Sequence, residues 1–76
     1  MSKYQERIVS DYRILLGKPI VKGTRISVEF ILKKLSEGAA IVDLAEQHGL
    51  NPDDIYAALD YAAARLADRE EPVAKK

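Results

Sequence analysis

The apolar residues of this chain follow two different rhythms. Between Ile8 and Ile26 they come in short extended runs, Ile8-Val9-Ser10, Tyr12-Arg13-Ile14-Leu15-Leu16 and Ile20-Val21, separated by Gly17-Lys18-Pro19 and Lys22-Gly23-Thr24. Branched and aromatic residues bounded by glycines predict small strands, most simply a hairpin turning near Gly17-Lys18. Pro19 has no N–H to give a ladder, so its strand belongs at an edge.

From Ser27 onward the period lengthens to that of a helix. Ser27 is an N-cap residue, Ile26 and Ile31 stand at the spacing of a hydrophobic staple, and Val28, Ile31, Leu32 and Leu35 form one stripe that Gly38 ends. A second helix is predicted from about Ile41 to His48, with Ile41, Leu44 and Ala45 inward and Gly49 as its stop. The third has the clearest start: Asn51 as cap, Pro52 in the first turn, Asp53 and Asp54 on the dipole, and Leu50 stapled to Ile55. It runs to about Ala67 or Asp68, with Ile55, Ala58, Leu59, Ala62 and Leu66 as the expected core stripe. Its other face is apolar too: Tyr56, Ala57, Tyr61, Ala63, Ala64 and Ala67 leave only Asp60 and Arg65 charged. A helix apolar nearly all round is buried on more than one side, unless small alanines simply face water. The two tyrosines favour a helix-mediated homodimer.

These elements make a single α+β domain, mostly α: a short N-terminal β-hairpin on a three-helix bundle containing a helix-turn-helix. The domain spans residues 8–68, between a flexible N-terminus (1–7) and a polar tail (69–76). With 76 residues the core is small, so a partner chain is the expected support. The chain has no cysteine, which fits the reducing cytoplasm and excludes disulfides and thiolate metal sites. No apolar run spans a bilayer and no signal-peptide core is present, so no membrane partner is expected.

Charge adds a second layer. The net charge is zero, yet residues 1–34 hold eight Lys/Arg against three acids, and residues 35–76 four against nine. Either the halves neutralise each other or they serve different tasks. The segment Gly17 to Ile26 gathers Lys18, Lys22 and Arg25, with Arg13 nearby, on glycine-rich backbone beside Thr24. A basic ribbon of this kind can enter a DNA groove. Arg13, Lys18, Lys22, Thr24 and Arg25 are therefore the candidate DNA-binding residues, with ion pairing as the structural alternative. For Arg25 that alternative is Glu29, one helical turn on, and it is the favoured one.

Catalytic patterns are missing. Lys22-Gly23-Thr24 has the wrong order for a phosphate loop, His48 reads as a cation at a helix end, and no His/carboxylate cluster has metal spacing. No enzyme, cofactor or small-molecule substrate is expected. Ile41 to Asp60 reads as a helix-turn-helix, with Ala45 small where the helices cross and Gly49 in the turn. It carries five acids and no Lys or Arg, which opposes phosphate contact by its second helix.

The run Gly17-Lys18-Pro19-Ile20-Val21-Lys22-Gly23-Thr24-Arg25-Ile26, followed by Ser27-Val28-Glu29, closely resembles the hallmark of the short bacterial proteins called domain of unknown function 433. The likeness continues through Gly38, Pro52-Asp53-Asp54-Ile55 and Ala58-Leu59-Asp60-Tyr61-Ala62. It departs at Leu16, where the family often has a second glycine, and at Ala39-Ala40, where it often has a capping Ser or Thr. The resemblance implies a homeodomain-like helix-turn-helix and a VapB-like antitoxin of a type II toxin–antitoxin pair. Its implied partners are operator DNA and a cognate PIN-like ribonuclease toxin. On that basis Arg65 and Arg69 are partner-binding candidates that could, like the tail lysines, reach an acidic metal site, and Tyr56 and Tyr61 join them as the amphipathic residues of the third helix. The rival reading is a protein-only adaptor with a helix-turn-helix shape that reads no DNA.

Overall fold

The computed structural model of the chain describes residues 5–69, with side chains from Glu6 to Ala67. Its element order is a 3-10 turn (Gln5–Arg7), β1 (Ile8–Ser10), a second 3-10 turn (Leu15–Gly17), β2 (Pro19–Val21), α1 (Val28–Ser36), α2 (Ile41–Gln47) and α3 (Pro52–Arg69). A two-stranded hairpin thus packs on three helices, the α+β, mostly α arrangement that the two apolar rhythms predict.

The hairpin is antiparallel, with Ile8 opposite Val21, Val9 opposite Ile20 and Ser10 opposite Pro19. Its connection differs from the expected one. Tyr12 to Leu16 is not a strand, and the chain does not reverse at Gly17-Lys18 alone: residues 11–18 form one loop. Asp11 starts it, its carboxylate accepting from the Arg13 N–H at 2.9 Å and its carbonyl from the Ile14 N–H at 2.7 Å. An Asp side chain that closes a turn on its own backbone competes directly with strand pairing. Leu15 and Leu16 then take φ of 50° and 56°, the left-handed region that costs an L-residue roughly 1–2 kcal/mol. Leu16 is 88 % exposed there.

Helix boundaries follow local chemistry. The Ser27 hydroxyl accepts from the Phe30 N–H at 2.9 Å to open α1. Helices α1 and α2 both close in the same two-bond motif. The Ala39 N–H reaches Lys34 and that of Gly38 reaches Leu35; the Leu50 N–H reaches Ala45 and that of Gly49 reaches Glu46. Gly38 and Gly49 hold φ of 102° and 67° as this motif demands, so an alanine at either would strain the cap. Helix α2 begins at Ala40 without a side-chain cap, as its sequence implies. Helix α3 starts in a reciprocal box: the Asn51 side chain accepts from the Asp53 N–H, and the Asp54 carboxylate from the Asn51 N–H, both at 2.9 Å.

Helix α3 is the spine, touched by α1, α2, β1 and the Gln5–Arg7 turn. The buried core consists of Ile20, Val21, Val28, Ile31, Leu44, Ala45, Ile55, Ala57 and Ala58. Ile8, Ile26, Leu32, Leu35, Ile41 and Leu50 pack partly buried around it. The stripe expected on α3 holds only in its first half. Ile55 and Ala58 are buried, but Leu59 and Leu66 face solvent, and Ala57, expected on the outer face, is buried instead. Tyr61 packs partly buried against the core rather than standing outside it. The reason is that α1 and α2 meet α3 over its early turns, and Ala63 to Ala67 run past the body with every side chain exposed.

Candidate functional site

The basic half is mostly neutralised within the fold. The Arg7 guanidinium meets the Asp54 carboxylate at 2.9 Å and Asp53 at 3.7 Å, which ties the N-terminal turn to the start of α3. Arg13 is held by Asp11 at 3.1 Å, two residues away. The side-chain and backbone hydrogen bonds from Arg13 hold the Asp11 carboxyl below the usual carboxylate range, and the same contact raises the guanidinium. Lys33 and Lys34 both lie within 4 Å of Glu37, and Lys34 also sits 5.6 Å from the Phe30 ring centre.

Lys18 donates to Glu29 across eleven residues at 2.9 Å. Glu29 is therefore occupied, and the ion pair favoured for Arg25 from the sequence does not form. The hydrogen bond from Lys18, and then its charge, hold the Glu29 carboxyl below the ordinary glutamate range. A carboxyl depressed in the fold contributes stability above its unfolded midpoint and loses it as pH falls through the folded one. In a carboxyl-carbon NMR titration, Lys18→Ala is expected to move the Glu29 midpoint upward. An unmoved midpoint would mean that the pair does not persist in solution.

What remains is the turn from Val21 to Ile26. The Val21 N–H donates to the Ile26 carbonyl, and the Thr24 N–H and hydroxyl both donate to the Val21 carbonyl. The Thr24 oxygen in turn accepts from the Ile26 N–H at 2.9 Å. Thr24 is thus spent on closing the turn. Lys22 and Arg25, on either side of Gly23-Thr24, are exposed. Among the described residues they are the cations of the basic half that have no carboxylate within salt-bridge distance and no ring contact.

Each opens onto a shallow depression. Lys22 lines one of about 390 Å³ with Glu6, Arg7 and Asp54. Arg25 lines another of about 300 Å³ with Leu15, Ile26, Ser27, Phe30 and His48, where the His48 ring stands edge-on to Phe30 at 5.1 Å. Lys22 therefore sits beside the start of α3, and Arg25 beside the end of α2.

The outer face of that helical pair has a different character. Asp43 and Glu46 are exposed on α2 beside Val42, and α3 shows Tyr56, Leu59, Ala63 and Leu66 with Asp60 alongside. The Arg65 guanidinium lies over the Tyr61 ring at 5.6 Å. The Arg69 side chain and the tail from residue 70 to 76 lie outside the described residues. No three of His, Cys, Asp and Glu come together as a metal-ligand group among the described residues, and no helix is long and apolar enough to cross a membrane.

Sequence comparison with curated proteins gives no match. Among solved structures, the crystal structure of Rv2018 from Mycobacterium tuberculosis is similar, at 31 % identity and a TM-score of 0.65 over 75 % of this chain. The match spans only 27 % of the length of that protein. The family model described as protein of unknown function DUF433 matches residues 8–62, from the first strand through most of the α3 core contacts, and this chain belongs to that family.

Proposed function

We propose that this protein is a non-enzymatic binding module, the antitoxin of a type II toxin–antitoxin pair, which contacts operator DNA through its β2–α1 turn and a PIN-like ribonuclease toxin through other surfaces. The observation that carries the DNA reading is the pair Lys22 and Arg25. Phosphate contact is made by cations that are exposed and not already neutralised. On the turn these two meet that condition, whereas Arg13 and Lys18 are each held by a carboxylate. The rigid Thr24 closure keeps both cations in a fixed relation, which lowers the ordering cost of binding. The toxin role is what the likeness of the Gly17–Glu29 segment to the domain of unknown function 433 hallmark implies.

A second reading, the protein-only adaptor, is favoured by the outer face of α3. A major-groove reader needs polar and cationic side chains there, and Tyr56, Leu59, Asp60 and Ala63 do not supply them. Fluorescence anisotropy across a salt series separates the two. The protein is titrated onto DNA from upstream of its own gene and onto a scrambled duplex. The expected result is preference for the upstream DNA, with Lys22→Ala plus Arg25→Ala weakening it and lowering the log–log salt slope by about 2. Equal, weak binding to both duplexes gives the function to the adaptor, and an unaltered slope in the double variant means that Lys22 and Arg25 do not touch phosphate.

A further inference from the structure

We infer that the depression beside the β2–α1 turn seats one phosphodiester-linked nucleotide, its charge held between Arg25 and His48 and its sugar resting on Leu15, Ile26 and Phe30. These residues line one shallow hollow of about 300 Å³. Arg25 is exposed, and its guanidinium offers the planar fork that fits phosphate oxygens. His48 is half-buried, its ring edge-on to Phe30 at 5.1 Å, so the imidazole stands in a set orientation. Ser27 completes the lining, its hydroxyl already spent on the Phe30 N–H. A bare anion has no use for the apolar wall, whereas a phosphodiester brings the carbons of deoxyribose to it.

The surrounding charges leave that pair unopposed. From α1, Glu29 is taken by Lys18 and Glu37 by Lys33 and Lys34, and Lys34 also stands 5.6 Å from the Phe30 ring centre. From α3, Asp53 and Asp54 are engaged by Arg7. From the loop of residues 11–18, Leu15 brings no charge and Asp11 is held by Arg13. On α2 itself, Glu46 and Asp43 stand two and five residues before His48. Those spacings turn their side chains to other sides of a helix. The acids around the hollow are thus paired or turned away, and an incoming anion is what Arg25 has left to meet.

This seat deepens the DNA reading and rests on it where the ligand is a duplex. Lys22 and Arg25 supply fixed charges, and His48 adds one that depends on pH. Histidine changes charge between about pH 5 and 8, and this is the chain's one histidine. A phosphodiester keeps its negative charge across the same range. The protonated ring donates from both nitrogens and attracts the phosphate, so affinity rises as pH falls. A half-exposed ion contact of this kind changes affinity about three- to five-fold. On DNA it adds about one to the log–log salt slope.

The probe is thymidylyl-thymidine, two nucleosides joined by one phosphodiester, with its uncharged methylphosphonate analogue as control. Because His48 is the only histidine, its imidazole protons give isolated NMR signals. Titrating the probe onto the full chain is expected to move them saturably, about three- to five-fold more tightly at pH 5.5 than at pH 7.5, while the analogue leaves them in place. Arg25→Gln abolishes the response with unchanged circular dichroism. His48→Gln, followed at the single Phe30 ring, still binds but loses the pH dependence, which subtracts any part due to the α-amino group. Upstream duplex DNA tells the source. A salt slope steeper by about one at pH 5.5, and lost in His48→Gln, assigns the seat to the DNA backbone. A slope indifferent to pH beside a responsive dinucleotide assigns it to a short free oligonucleotide. A dinucleotide that moves no His48 signal gives Arg25 and His48 to a carboxylate of a protein partner and overturns the inference. So does a pH dependence that survives His48→Gln. Loss of preference for the upstream duplex overturns the DNA reading alone, because the dinucleotide response is measured without a duplex.

Discussion

Ile55→Ala is expected to lower the melting temperature by on the order of 15 °C. Ile55 is wholly buried where the first turns of α3 meet the rest of the core. Removing three carbons from such a site costs about 2–5 kcal/mol, as lost transfer energy plus the cavity left behind. A domain of this length holds about 4–11 kcal/mol in total, so one substitution takes a large share. The neighbours cannot close the gap, because Ala45 and Ala58 are too small to reach into it and Ile31 and Leu44 are already fully packed. Leu66→Ala is the matched control: it removes as many carbons from a position beyond the body of the domain, and a shift of only a degree or two is expected at concentrations that keep the chain monomeric. Thermal unfolding followed at 222 nm compares them. Similar shifts for the two variants would mean that α3 is not anchored at its first turns.

Asp54→Ala is expected to cost about 2 kcal/mol, more than any other acid among the described residues. Its carboxylate does two jobs at once. One oxygen accepts from the Asn51 N–H in the α3 cap, and the other takes the Arg7 guanidinium across forty-seven residues. The side chain is only 14 % exposed, so water replaces neither contact well. Asp53, half exposed and 3.7 Å from the same guanidinium, is expected to lose less than about 0.5 kcal/mol on the same change. Asp54→Asn keeps an acceptor for the cap and loses the ion pair, so it should fall between the two. A double-mutant cycle with Arg7→Ala isolates the coupling. A coupling near zero would show that the N-terminal turn is not held by this pair.

These two residues also show how far the sequence could be read. The third helix and its start were legible, because Asn51, Pro52 and Leu50-x4-Ile55 act within one turn of each other. The reciprocal bond from Asp54 was legible in the same way, in the Asn-x-x-Asp spacing, although the acids were read only as dipole partners. Arg7 was not. Nothing local marks it out from the polar N-terminus, and its role exists only once the hairpin lays it beside α3. The exposed stripe on α3 was misread for a related reason. Leu59 and Leu66 fit a core stripe by period, yet a helix period does not say how far along its length the neighbours reach.

The candidate site divides in the same way. The sequence located the basic segment, the turn at Gly23-Thr24 and the family likeness, and left the task of each cation open between DNA contact and ion pairing. The structure shows Lys18 taken by Glu29, Arg13 by Asp11 and the Thr24 hydroxyl by its own turn, with Lys22 and Arg25 left facing water.

By itself, then, the sequence determined the three helices, their caps at Ser27, Asn51, Gly38 and Gly49, the presence of a hairpin and the absence of an even charge distribution. Each of these depends on residues close together along the chain. Only the tertiary structure decided which face of α3 is left uncovered, and that Lys22 and Arg25, among the described cations of the basic half, remain unneutralised. Those outcomes turn on contacts such as Lys18 with Glu29 and Arg7 with Asp54, eleven and forty-seven residues apart, which meet only when the hairpin and the helices close on one core.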